Sequence, residues 1–129
     1  MFRKIRLLTF ALIMNTLPSL AQSGLVFDRP TWDFGTIRET DGPVTHRFVC
    51  RNEGEHPEVI LQVTTTCGCT TPRYTRKPIL PGEETEITVT YDPANRPGNF
   101  SRELAVFTAD RRIAAKLRIT GSVIGRPKT

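Results

Sequence analysis

Strict alternation of apolar and polar residues, interrupted only by turn residues, is what most limits the folds open to this chain. In residues 44–51 (VTHRFVCR), Val44, His46, Phe48 and Cys50 fall on one face and Thr45, Arg47, Val49 and Arg51 on the other. Residues 85–91 (TEITVTY) set Ile87, Val89 and Tyr91 against threonines and Glu86. Residues 111–120 (RRIAAKLRIT) set Ile113, Ala115, Leu117 and Ile119 against Ala114, Lys116, Arg118 and Thr120. A period of two places alternate side chains on opposite faces of a strand, so these runs read as half-buried antiparallel strands. Weaker runs cover 25–27, 32–37, 59–65 and 101–108. In the 59–65 run, Val59, Leu61 and Val63 are expected to face inward.

Turn residues separate the runs: Asp41-Gly42-Pro43, Asn52-Glu53-Gly54, Pro81-Gly82, and the stretch from Pro93 to Gly98. Prolines sit between runs, as ladder hydrogen bonding requires, and Pro81-Gly82 predicts a type II turn with positive φ at the glycine. No 3.6-residue stripe occurs beyond the N-terminus. About seven short strands at this spacing predict an all-β fold, an immunoglobulin-like two-sheet antiparallel sandwich. A small barrel is the alternative.

The first 21 residues read differently. Arg3, Lys4 and Arg6 precede an apolar run from Ile5 to Met14, and the stretch closes on Ser19-Leu20-Ala21. Small residues at the −3 and −1 positions suit signal peptidase, so cleavage is expected after Ala21 and the protein is expected in a periplasm or beyond. The apolar run is shorter than the roughly 20 residues of a membrane-spanning helix, and no cysteine stands at the cleavage point for a lipid anchor. The expected organisation is a leader at 1–21, one domain at 22–123 and a flexible tail at 124–129. The chain carries +5, of which the leader holds three basic and no acidic side chains. The remaining charge, about +2 and unclustered, is too mild for a nucleic-acid footprint.

Several short motifs run through the mature part in order. They are Asp33-Phe34-Gly35-Thr36-Ile37, His46-Arg47-Phe48, Asn52-Glu53-Gly54 and Cys67-Gly68-Cys69-Thr70, then Pro78-Ile79-Leu80-Pro81-Gly82-Glu83 and the strand ending Tyr91-Asp92. Gly98-Asn99-Phe100 and Ile119-Thr120-Gly121 close the set. This ordered set, from Val26 to Val123, resembles the bacterial family catalogued as domain of unknown function 1573. The resemblance implies an immunoglobulin-like sandwich, similar to modules of sperm-protein and cilia-associated families, and implies no known activity. The chain departs from the family pattern at Cys50, where an aromatic or aliphatic residue is expected.

Catalytic constellations are missing from the sequence. His46 lies on an apolar face and reads as a rim residue bonded to a backbone carbonyl. His56 sits in a polar turn. Neither has the HxxxH or HExxH spacing of a zinc site. Trp32 and Phe34 read as caps on a sandwich core. Asp33-Phe34-Gly35 has no glycine-rich loop or catalytic loop around it to make it a kinase motif. Glu83, Glu84 and Glu86 read as a solvated face. The expectation is a non-catalytic module that binds a protein or another envelope component.

The cysteines carry the other chemistry. Export favours disulfides. Cys50 is expected to be inward, as a small buried hydrophobe or as a disulfide partner of Cys67 or Cys69. In a flat strand, residues two apart have Cα atoms about 6.5–7 Å apart, at the edge of disulfide range, so a Cys67–Cys69 bond needs a turn or bulge at Gly68. Three readings of the pair stay open. It can pack at the end of the core, on a strand running unbroken through Thr65. It can be a redox pair in a small, easily reduced ring. As two thiolates, it can hold a soft ion such as Cu(I).

Overall fold

The computed structural model describes residues 23–128, so the expected leader lies outside the described residues. Eight strands appear among them. In chain order they are β1 (Leu25–Phe27), β2 (Thr31–Arg38), β3 (Val44–Asn52), β4 (Ile60–Thr65), β5 (Thr70–Arg73), β6 (Glu84–Tyr91), β7 (Gly98–Thr108) and β8 (Ile113–Ile124). One sheet has the order β1-β3-β6-β5 and the other β2-β8-β7-β4. The fold is therefore a two-sheet sandwich, antiparallel except for the parallel pairing of β2 with β8. No helix of the described residues is long and apolar enough to cross a membrane.

The core forms where the alternating faces meet. Phe48, Ile87, Val89 and Tyr91 from the first sheet and Leu104, Val106, Leu117 and Ile119 from the second are almost wholly buried. Each aliphatic or phenylalanine side chain in this set contributes about 1.5–3 kcal/mol of transfer free energy, whereas the Tyr91 hydroxyl is buried without a hydrogen-bond partner among the described residues. The threonines of β6 and the charged residues of β8 take the outer faces, as the period of two dictates.

Two chain crossings set the geometry of the edges. β1 and β2 are consecutive edge strands in different sheets, linked through residues 28–30. On the opposite side, β4 and β5 are again consecutive edge strands in different sheets, linked through residues 66–69. The Cys67-Gly68-Cys69 motif is therefore the bridge that carries the chain from one sheet to the other.

The structure differs from the sequence reading in four places. Ile60, not Leu61, faces the core, because a bulge between Ile60 and Gln62 adds one residue before Val63 turns inward. Val59 is only half-buried and Leu61 is exposed. Ile113 is 52% exposed, because a second irregularity opposite Val106 and Phe107 shifts the start of β8 out of phase. β5 contains Pro72; it is an edge strand, where the missing N–H can face outward. Finally, β8 runs through Ile124, which pairs with Arg38, so the chain is still in a sheet where the tail was expected to begin.

Beyond β8, Glu39 ties the chain down. It starts a single 3₁₀ turn (Glu39–Asp41) and its buried carboxylate accepts the N–H of Asn95 at 2.8 Å and of Arg126 at 3.2 Å. The hydrogen bond from Asn95, then the backbone and guanidinium of Arg126, hold its carboxyl below the ordinary value.

Candidate functional site

Two of the three threonines before Cys67 shape the exit from the strand. Thr64 and Thr65 end β4, and the Thr65 hydroxyl accepts the N–H of Cys67 at 3.4 Å. The chain leaves the strand there instead of continuing it. The N–H of Thr70 then closes a four-residue turn onto the carbonyl of Cys67 at 3.2 Å. The carbonyl of Cys69 accepts the N–H of Asp92 at 2.8 Å, and Thr70 pairs with Tyr91, so the far end of the turn is fastened to β6.

This turn brings the Cα atoms of Cys67 and Cys69 to 5.2 Å, and a disulfide joins the two residues. The flat-strand spacing of about 6.5–7 Å does not apply, because the backbone is bent. Gly68 is exposed, and a Cβ on it would meet nothing within 4 Å. Its φ lies outside the left-handed region, unlike those of Gly35, Gly42, Gly82 and Gly98. Bending therefore does not depend on glycine at this position.

Both sulfurs have a hydrogen-bond neighbour. The N–H of Cys69 donates to Cys67 Sγ at 3.2 Å, and the Thr70 hydroxyl lies 3.5 Å from Cys69 Sγ. Cys69 and Thr70 are buried, whereas Cys67 is half-buried beside the exposed Gly68. The bond encloses only three residues. In the chain-entropy account, such a short loop contributes about 1.6 kcal/mol, against about 3 kcal/mol for a 15-residue loop.

Cys50 stands apart. It is a free thiol, 1% exposed. Val44 pairs with Tyr91 near the turn, but Cys50 lies six residues further along β3, opposite Thr85. Six residues of strand span about 20 Å, so Cys50 does not reach either sulfur of the turn. Burial pushes its thiol up to about 11, which leaves it protonated and unreactive near neutrality.

The soft-ion reading meets the same geometry. Sulfurs bonded to each other offer no thiolate to Cu(I), and no group of three His, Cys, Asp or Glu side chains among the described residues is placed to hold a metal. His46 is not a ligand in waiting either. Its ring stacks on Trp32 with centroids 4.1 Å apart and meets the edge of Phe48 at 4.7 Å. It makes no hydrogen bond to a backbone carbonyl among the bonds of the described residues, and burial lowers its pKa.

The remaining motifs serve the fold. The Asp33 carboxylate accepts the N–H of Gly35 at 2.8 Å, and Gly35 has φ +69° at the bulge of β2 against β8. Phe34 packs on Phe100, which stacks on Tyr91 at 4.0 Å. Asn52 is wholly buried; its amide donates to the carbonyls of His56 and Ile79 and accepts the N–H of Gly54. Sequence reading did not find the roles of Asn52, Glu39 or Thr70. Thr70 carried a signal in its position directly after Cys69, and Asn52 carried one as the first residue of the Asn52-Glu53-Gly54 turn; Glu39 carried none.

One further surface stands out beside the turn. β4 is an edge strand, and residues 59–66 contain no charge and no proline. The other edges carry blunting features that β4 lacks: β1 has three residues, β2 carries Asp33, and β5 carries Pro72 and Arg73, while a bulge is common to β2 and β4. Next to β4, Phe107 pairs with Gln62 on one side and with Ile113 on the other. Leu61, 43% exposed, sits in the bulge beside Gln62, and Ile113, 52% exposed, lies across from Phe107.

Comparison with known proteins agrees with this architecture. A protein of unknown function from Porphyromonas gingivalis W83 superposes with a TM-score of 0.66 at 22% identity, over 83% of this chain and 51% of that one. The VesB protease of Vibrio cholerae superposes with a TM-score of 0.64 at 17% identity, over 77% of this chain and 32% of that one. The YadV chaperone superposes with a TM-score of 0.55 at 12% identity, over 82% of this chain and 55% of that one. The chain thus spans about half or less of the length of these proteins, and at such identities the likeness is one of fold. No curated protein matches the chain. The family described as "Protein of unknown function (DUF1573)" matches residues 25–123, all eight strands but the last residue of β8, and the chain belongs to that family.

Proposed function

We propose that this protein is an exported immunoglobulin-like module that binds another envelope or secreted protein by accepting an extended segment along the edge of β4. The observation that carries the reading is the edge itself. Sheet edges in natural proteins are usually blunted by charge, proline or extreme shortness, and β4 has none of these. Its unpaired main-chain groups can add a strand, and the exposed Leu61 on β4 itself offers apolar contact to a side chain of that strand. The occupant that fits is an uncharged, extended peptide segment with apolar residues at alternate positions. Export is supported by the N-terminal leader pattern and by the Cys67–Cys69 bond, which suits an oxidising compartment.

The test is capture of partners from envelope extract by the full chain, expressed with its leader, compared with two variants. Leu61→Lys places a charge at the edge and should abolish capture. Val49→Lys places one on the outer face of the opposite sheet and should leave capture intact. Both positions are exposed, so the unfolding free energies should stay within about 0.5 kcal/mol of the parent's. Equal capture by all three proteins, or none above background by the parent, would overturn the reading.

A further inference from the structure

We propose that the Cys67-Gly68-Cys69 turn is a thiol–disulfide exchange site that oxidises protein dithiols, with Cys67 as the attacked sulfur. Three independent features meet there. The bond joins residues two apart, in a turn already closed by backbone hydrogen bonds, so it is not needed to hold the sheets together. The two sulfurs differ in access, with Cys67 half-buried beside an exposed glycine and Cys69 buried. Each sulfur also has a hydrogen-bond neighbour able to stabilise a thiolate, the N–H of Cys69 for Cys67 and the Thr70 hydroxyl for Cys69.

The chemistry follows from that asymmetry. Attack on a disulfide runs along the S–S axis, so a nucleophile arriving from solvent meets Cys67 Sγ and expels Cys69 Sγ. In the first step a partner thiolate forms a bond to Cys67 Sγ, the Cys67–Cys69 bond breaks, and Cys69 leaves as a thiolate that the Thr70 hydroxyl can stabilise. In the second step the other thiol of the partner, losing its proton to solvent, attacks the partner's own sulfur in the mixed disulfide. That releases Cys67 as a thiolate facing the Cys69 N–H. The partner dithiol has lost two electrons and become a disulfide; the turn has gained them and become a dithiol. Cys50 plays no part, being buried about 20 Å away along β3. The site does not depend on docking at β4, although β4 leads directly into it.

The experiment uses the folded full chain and small thiols, so it reads independently of any protein partner. The parent, incubated with dithiothreitol in native buffer, should open the Cys67–Cys69 bond while circular dichroism stays unchanged, and glutathione disulfide should close it again. A bond that opens only in urea would mark a structural staple and overturn the proposal. Trapping with single-cysteine variants, made in the Cys50→Ser background, assigns the attacked sulfur. Cys69→Ser should form a mixed disulfide with glutathione disulfide through Cys67 at least about tenfold faster than Cys67→Ser does through Cys69, since access governs the rate. Equal rates, or a faster reaction at Cys69, would contradict the assignment. Cys50→Ser should open and close like the parent.

Discussion

Gly68 and Gly82 both sit in turns, and the backbone needs glycine at only one of them. Gly82 has φ +84°, in a turn closed by the N–H of Glu83 on the carbonyl of Leu80. A β-branched residue there pays the left-handed penalty of about 1–2 kcal/mol, so Gly82→Val should lower the urea midpoint. Gly68→Ala should leave it unchanged, because the added methyl meets open space at an ordinary φ. An unchanged midpoint for Gly82→Val, or a large loss for Gly68→Ala, would show that the turns are built differently. The contrast also marks what single residues disclose. Pro81-Gly82 announces its turn type, because proline fixes one φ and glycine permits the next. Cys67 and Cys69 could not announce their bond, because it depends on the chain leaving the strand at Thr65. The distance between Cys50 and the pair likewise comes from the register of β3 against β6, which a residue pattern does not specify.

At the scale of elements, the alternating runs of β3 and β6 were legible because both strands keep a strict period of two against a single buried face. β5 was not, since Thr70–Arg73 has a proline and no apolar alternation; its strand character comes from pairing with β6. β4 and the start of β8 were misread in facing, because a bulge reverses inside and outside for every residue before it. A measurement can separate the correct phase from the apparent one in β8. Leu117 is wholly buried and Ile113 is 52% exposed. Leu117→Ala should cost about 2–5 kcal/mol, whereas Ile113→Ala should stay within about 0.5 kcal/mol. Similar losses from both would restore the unbroken alternation and remove the shift opposite Val106 and Phe107.

For the whole molecule, the division of labour is the main point. Two sheets bury one continuous core. One lateral side is closed by the β1–β2 crossing, and the other carries the disulfide turn and the β4 edge, which Ile79 covers only where Glu58 leads into the strand. A domain of this size has a net stability of about 5–15 kcal/mol, and a three-residue loop supplies about 1.6 kcal/mol of it in the chain-entropy account. The sandwich therefore holds with the bond open, and the turn is free to change state. Equilibrium urea unfolding of the Cys50→Ser full chain, with the Cys67–Cys69 bond closed and again with both thiols held reduced by dithiothreitol, tests this most directly. A single cooperative transition in both forms, separated by about 1.6 kcal/mol, is the predicted result. Loss of the cooperative transition on opening the bond would contradict it, and would make Cys67–Cys69 a staple of the fold.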